Sequence, residues 1–307
     1  VVRLYDDLGP IGQPLNHTLQ PFQLDQFPVT GHSDRPFSIE IEVPDGMWLI
    51  GYASLIDGGS SDPVYLQAVR ESELGSADYR ENVIPGVGHV GDWRSDVTVY
   101  NSDGHTITVD LAYHDAAGSK VGEAKAVPIR AGEFLQYSDL LKQGVFGTVS
   151  DGVGMLRVSV PGTVSADHFP LTYARTYNDN GTGKTYGQGI AGFASNRANV
   201  RAGKSGLIPG VRSNDKYYTN IGLTNVSSTV ATVVVKVLDP NTGLEVPDSQ
   251  RTFTMQPNQS IVGQEDLKGR ANASLRIEVS GGNVWAFASI IDRGTLDPEY
   301  VPATPLP

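Results

Sequence analysis

Three stretches of this chain are versions of one another: Ala53-Ser-Leu-Ile-Asp57-Gly-Gly-Ser-Ser-Asp62-Pro63-Val-Tyr65, Ala174-Arg-Thr-Tyr-Asn178-Asp-Asn-Gly-Thr-Gly183-Lys-Thr-Tyr186 and Ala288-Ser-Ile-Ile-Asp292-Arg-Gly-Thr-Leu-Asp297-Pro298-Glu-Tyr300. In each, a β-prone run enters an Asp or Asn, passes a Gly-containing turn and reaches a Tyr eight positions later. That is a hairpin pattern, and its recurrence marks a tandem array.

Upstream of the last two copies the match extends without a gap. An offset of 124 residues separates Ile84 from Ile208 (both followed by Pro-Gly), Asn101 from Asn225, and Asp115 from Asp239. Between these landmarks lie strands that alternate apolar and polar residues, such as Ile107, Val109, Leu111 and Tyr113 in one copy. Leu156, Val158 and Val160 are matched in the same way by Leu275, Ile277 and Val279. Period two is the signature of a strand with one buried face. The segments Ser138 to Gly144 and Gln264 to Gly269 carry cap residues and a closing Gly, which predicts one or two helical turns.

Seven or so short strands in a unit of roughly 100 residues, with almost no helix, predict an all-β chain of tandem immunoglobulin-like β-sandwich domains. Two facing sheets bury each other's inner residues, and at about 25 cal/mol per Å² that burial supplies most of the stability of a disulfide-free domain. The expected division is a partial first sandwich at 1–66, a linker at 67–82, a second sandwich at 83–187, a linker at 188–206, a third sandwich at 207–303 and a tail at 304–307. Both linkers are too long for simple turns and are expected to cross the junctions or add strands. The Pro-rich end, from Val301, reads as an extended tail, because Pro lacks the amide donor a sheet needs. Trp48, Trp93 and Trp285, with Tyr52, Tyr173 and Phe287 at one aligned position, are expected in the cores.

The first unit departs from the pattern. Val1 to Asp6 aligns with Val234 to Asp239, and Ile39, Ile41 and Val43 supply an alternating strand, but nothing corresponds to residues 84–109. Either the first unit is completed by upstream sequence or is an atypical cap, or another subunit supplies the missing strand by β-strand addition. The chain opens on a strand-forming run, Val1-Val2-Arg3-Leu4-Tyr5, so a signal peptide or further domains are expected before it.

Composition narrows the function classes. A net charge of −11 opposes binding to phosphate backbones. The absence of Cys excludes disulfides, thiolate metal sites and a Cys nucleophile. No apolar run approaches the roughly 18 to 20 residues of a membrane-spanning helix.

Few motifs carry chemistry. Gly181-Thr-Gly183-Lys184-Thr185 suggests a phosphate loop, but the required earlier Gly is Asn178, and the stretch aligns with two hairpin turns. Gly203-Lys204-Ser205 fails likewise, with Ala198 in place of the Gly. The six His (17, 32, 89, 105, 114 and 168) recur at no aligned position, which argues against a metal cage. Asp57 with Asp62, and Asp292 with Asp297, set carboxylates beside Gly-rich backbone, an oxygen-rich setting that suits Ca²⁺; the competing reading is that each Asp bonds its own turn. Sequons stand at Asn16, Asn180, Asn225, Asn258 and Asn272.

The Ile-Pro-Gly openings, the Asn101 and Asn225 strand ends and the three hairpins resemble, at class level, the tandem immunoglobulin-like repeats of secreted and cell-surface bacterial proteins. That resemblance implies adhesion, spacing, filament building or an accessory role, and carries no catalytic residue or cofactor. The expected function is a non-enzymatic extracellular structural protein, such as a surface stalk, adhesin or filament subunit. Its partners would be other subunits or neighbouring domains of the array. The alternatives are an accessory region of a larger secreted hydrolase and a carbohydrate-binding module, which would bind a surface glycan by stacking on Trp93, Tyr217 and Tyr218.

Overall fold

The computed structural model describes residues 1–6, 8–29, 36–162, 164, 166–179 and 181–307. Within the second repeat the strands are β6 (Glu81–His89), β7 (Trp93–Tyr100), β8 (Ile107–His114), β9 (Lys120–Ile129), β10 (Phe134–Tyr137), β11 (Gly152–Ser159), β12 (Leu171–Asp179), β13 (Thr185–Ala191) and β14 (Phe193–Ala194). They form two antiparallel sheets, ordered β10-β7-β12-β13 and β14-β6-β11-β8-β9. Alternation decides which residues meet. Val97, Val99 and Ala174 from the first sheet share one buried core with Ile84, Leu111 and Leu156 from the second.

The third repeat copies this arrangement strand for strand. Its elements are β16 (Ser205–Arg212), β17 (Tyr217–Asn225), β18 (Ala231–Leu238), β19 (Arg251–Met255), β20 (Ser260–Gln264), β21 (Asn272–Ser280), β22 (Asn283–Asp292), β23 (Pro298–Pro302) and β24 (Thr304–Pro305). One sheet runs β20-β17-β22-β23 and the other β24-β16-β21-β18-β19. A short β15 (Val200–Arg201) also pairs with β22. Ile221, Leu223 and Ala286 here face Val235, Leu275 and Ile277 in a second core.

The repeated Asn explains part of this fidelity. Asn101 is fully buried, and its Nδ2 donates to the carbonyls of His105, Ile129 and Arg130 at 2.8, 3.0 and 2.9 Å. Asn225 donates to those of Thr229, Met255 and Gln256 at 2.8, 3.2 and 3.0 Å. Each Oδ1 accepts a backbone N–H two residues on, from Asp103 or Ser227. One buried amide thus clips a strand end to two loops, adding a donor to three carbonyls at once. A hydroxyl is repeated as well: Ser95 Oγ accepts the Gly88 N–H and Thr219 Oγ1 accepts the Arg212 N–H.

In the first repeat, β1 (Val2–Asp6), β2 (Gly9–Leu15) and β3 (Ser38–Ile41) form a sheet ordered β2-β1-β3, while β4 (Tyr52–Ile56) and β5 (Pro63–Gln67) form a hairpin. The register of β1 on β3 pairs Leu4 with Ile39 and Val2 with Ile41, as Val237 pairs with Leu275 and Val235 with Ile277 in the third repeat. Counterparts of β6, β7 and β10 are absent from the described residues of this repeat. A one-turn helix, α1 (Glu71–Leu74), and a 3-10 turn (Ala77–Arg80) lead into β6.

The structure departs from the sequence reading at several points. Residues 138–144 form a run of turns in which the Gln143 N–H reaches Asp139 O, and residues 265–269 form a loop that ends in a turn; neither stretch is a helix. They are pinned to strand edges by Leu140 N–H to Ser95 O and Glu265 N–H to Thr219 O, which leaves no length for a helical ladder. Residues 188–206, read as a linker that crosses the junction or adds strands, hold most of β13 together with β14 and β15. The Pro-rich terminus pairs: Thr304 and Pro305 lie along Leu207 and Gly206, and the Leu306 N–H reaches Ser205 O at 2.8 Å. A Pro is tolerated there because β24 is an edge strand, whose outer amides bond nothing. Trp48 is 81% exposed, with the Arg70 guanidinium 4.5 Å from its ring centre.

Replacing Asn101 or Asn225 by Ala is expected to lower the unfolding free energy by about 2 kcal/mol, because a buried amide loses its hydrogen bonds to three carbonyls and one backbone N–H. The exposed Asn241→Ala change should stay within about 0.5 kcal/mol. Urea unfolding of the three variants checks this.

Candidate functional site

The first and third hairpins close in the same way. Asp57 N–H donates to Asp62 O and Asp292 N–H to Asp297 O, each at 2.9 Å. Asp57 Oδ1 accepts the N–H groups of Gly59 and Ser60, and Asp292 Oδ1 accepts those of Gly294 and Thr295. Ser61 and Leu296 take the left-handed conformation at φ 64° and 63°. These are Asx turns, in which the first carboxylate of each pair is spent on its own backbone.

The three hairpins converge. β5 lies against β13, and β13 lies against β23. Across the first contact, Ser60 Oγ donates to Thr185 O at 2.6 Å and Thr185 Oγ1 donates to Asp57 Oδ2 at 2.7 Å. The buried Asp62 accepts the Gly187 N–H at 2.7 Å and Arg175 Nη2 at 3.3 Å. Arg175 also lies 3.7 Å from Asp57 and donates to Thr185 Oγ1 at 2.8 Å, with its guanidinium over the Tyr177 ring. Across the second contact, the Asp297 carboxyl comes close enough to the Asp62 carboxyl to raise its pKa. One carboxyl from each outer repeat therefore meets around a cation from the middle one.

These surroundings move the acids in opposite directions. The Thr185 hydroxyl, with the turn amides, holds Asp57 down to about 2. Burial, and then the neighbouring Asp62 carboxyl, pushes Asp297 up to about 6. Arg175, 3.3 Å from Asp62, sets a cation beside the two acids. The Tyr173 hydroxyl is buried without a hydrogen-bond partner among the described residues.

The four Asp singled out for Ca²⁺ are thus divided. Asp292 stays in its own turn, Asp57 binds its turn through Oδ1 and Thr185 through Oδ2, Asp62 and Asp297 meet each other, and Arg175 stands where a cation beside Asp62 would stand. Among the described residues one group brings three ligand atoms within 4.8 Å: Asp103, His105 and Asp167. Both Asp103 oxygens there accept backbone N–H groups, of His105 on one side and of Asp167 and His168 on the other.

The stacking candidates lie in separate sheets. Trp93 pairs with Asn178 in the second repeat, while Tyr217 and Tyr218 pair with Asp292 and Ile291 in the third. Arg212 and Arg293 place guanidiniums about 5 Å from the ring centres of Tyr217 and Tyr218, covering one face of each. His89 bonds Asp139 at 2.9 Å, and Asp96 accepts both the Asp139 N–H and the Tyr177 hydroxyl. The Asn180 sequon and His32 lie outside the described residues.

The second and third repeats also meet through packing. Phe193 stacks on Trp285 with ring centres 3.7 Å apart, and Trp285 Nε1 donates to the Tyr300 hydroxyl at 2.8 Å. Arg157 reaches across to Asn258 Oδ1 at 2.7 Å and Val226 O at 2.9 Å, while pairing with Glu81 in its own repeat. Phe287 points away from its own core and meets Gly86 of the neighbouring repeat.

Sequence reasoning missed Arg175, although a signal was present. The other two hairpins carry Ser54 and Ser289 at that position, so a lone Arg stood between two acidic copies. The chain matches no family model, no curated protein and no solved structure, and its functional reading rests on this geometry.

An acid whose folded pKa lies above its unfolded value holds its proton more tightly when folded. Asp297 therefore stabilises the fold at low pH, and this contribution is lost as pH rises through about 6. Thermal unfolding followed from pH 4.5 to 7.5 should show that loss, and Asp297→Asn should flatten it. With Arg175 in place, millimolar Ca²⁺ is expected to leave the melting temperature unchanged, which calorimetry checks.

Proposed function

We propose that this chain is a non-enzymatic structural and adhesive repeat protein, working outside the cell or at its surface as a stiff array of immunoglobulin-like β-sandwich repeats. The observation that carries this reading is the meeting of all three hairpins around Arg175. Neighbouring repeats in a flexible string meet through small polar contacts and move independently. Here they are joined by a carboxyl pair with one buried member, Asp62, by a guanidinium and by a stacked Phe193–Trp285 contact. Such joints transmit force and fix the spacing between ends, which is the work of a stalk or filament subunit.

The polar clusters support the same reading, because their atoms are committed to structure. His89 is held by Asp139, which Arg94 also approaches at 3.6 Å. Asp103 gathers three backbone amides, and Asp96 fixes a loop and a Tyr. A catalytic base needs reach to a substrate proton, and these groups spend theirs on the fold.

Two measurements test the proposal together. Calorimetry should show the second and third repeats unfolding in one transition, which Arg157→Ala separates or broadens. A panel of peptide, glycoside, ester and phosphoester substrates should show no turnover. Turnover that disappears in His89→Ala or Asp139→Asn would overturn the structural role.

A further inference from the structure

The second and third repeats display what lies against the strands that the first repeat leaves open. β11 and β21, the counterparts of β3, pair on their second edge with β6 and β16, setting Leu156 opposite Ile84 and Leu275 opposite Ile208. β12 and β22, the counterparts of β4, pair with β7 and β17, setting Ala174 opposite Val97 and Ala288 opposite Ile221. In each repeat a single continuous segment, 81–100 or 205–225, supplies both strands. It is a β-corner that leaves one sheet and enters the other, held at its bend by Ser95 or Thr219.

In the first repeat these edges have no partner among the described residues. Ile39 is 37% exposed, whereas Leu156 and Leu275, at the same register, are fully buried. Met47, Ile50, Leu55 and Ile56 are exposed in the same repeat. An open edge beside uncovered apolar side chains is an unmet pairing surface.

We infer that the first repeat accepts a β-corner segment of this same chemistry, which pairs antiparallel with β3 and β4 at once. The register follows from the two internal copies: an Ile of an Ile-Pro-Gly run opposite Ile39, and a β-branched residue opposite Ala53. The donor is a corner not yet folded into a repeat. A second folded copy of this chain does not fit, because its own two corners are buried in their cores through Val97 and Ile221. The inference deepens the structural reading above and rests on it only for the role of the assembled array. Main-chain pairing supplies affinity, and the alternating side chains supply register.

The test uses the full chain in two forms. One receives a synthetic peptide with the sequence of residues 205–225. The other carries residues 205–233 joined directly ahead of Val1, which aligns with Val234. Hydrogen exchange at the amides of residues 38–41 and 52–56 should slow at least tenfold in both, and the peptide carrying Ile208→Asp should lose the effect. Unchanged exchange in both forms overturns the inference. So does protection of these amides in the chain alone with concentration-dependent self-association, since a second copy would then be the occupant. Turnover in the substrate panel would sink the structural role and leave this pairing standing, whereas unaltered exchange sinks the pairing alone.

Discussion

The guanidinium of Arg175 is the point on which the packing of the three repeats depends. It lies within 4 Å of carboxylates from the first repeat, in a place where Asp62 is buried and Asp297 of the third repeat arrives on the other side. Two carboxylates brought together in low dielectric repel unless a proton or a cation intervenes; here Arg175 supplies the cation, and a proton on Asp297 joins it only as pH falls below about 6. Removing the cation would leave Asp62 buried with its charge uncompensated, a loss of about 3–5 kcal/mol for pairs of this kind. The joint is therefore specific: the hairpins cannot slide past one another without separating Asp62 from the Gly187 amide and from Arg175.

The aromatic residues at the aligned position serve this packing rather than the cores. Along β12 and β22 the small residues Ala174 and Ala288 face inward, which sends Tyr173 and Phe287 to the outer surface of their sheets. There Tyr173 lies over Gly189, close to Val64 of the first repeat, and Phe287 lies over Gly222, close to Gly86 of the second. A Cβ at position 222 would stand 2.1 Å from the Phe287 ring, so the glycine is what lets the ring lie flat. The same alternation that builds each core thus builds the contact between repeats.

Much of this was legible in the sequence. The period-two runs gave the strands, and the constant offset gave the matching order of the second and third repeats. Asn101 and Asn225, noticed as landmarks, are landmarks because each amide satisfies three carbonyls. What could not be read was the meeting of separate repeats. Asp62 and Asp297 each look like half of a local turn, and their partnership depends on how sheets stack rather than on any neighbour in the chain. Trp48 was misplaced because its apolar surroundings, Met47 and Ile50, are themselves exposed in the first repeat. The terminal Pro residues misled because their cost in a sheet vanishes on an outer edge.

The burial of Asn225 bears on how the protein can be made. Asn225-Val226-Ser227 is an acceptor for N-linked sugar, yet in the folded chain its side-chain nitrogen is locked to Thr229, Met255 and Gln256. Glycosylation machinery acts on the chain while it is still emerging, before this nitrogen is hidden. A sugar attached at that moment would occupy the place of three hydrogen bonds, and the third repeat could not close around it. Synthesis in a secretory system that attaches such sugars sets modification against folding at one atom, and a host without them removes the contest.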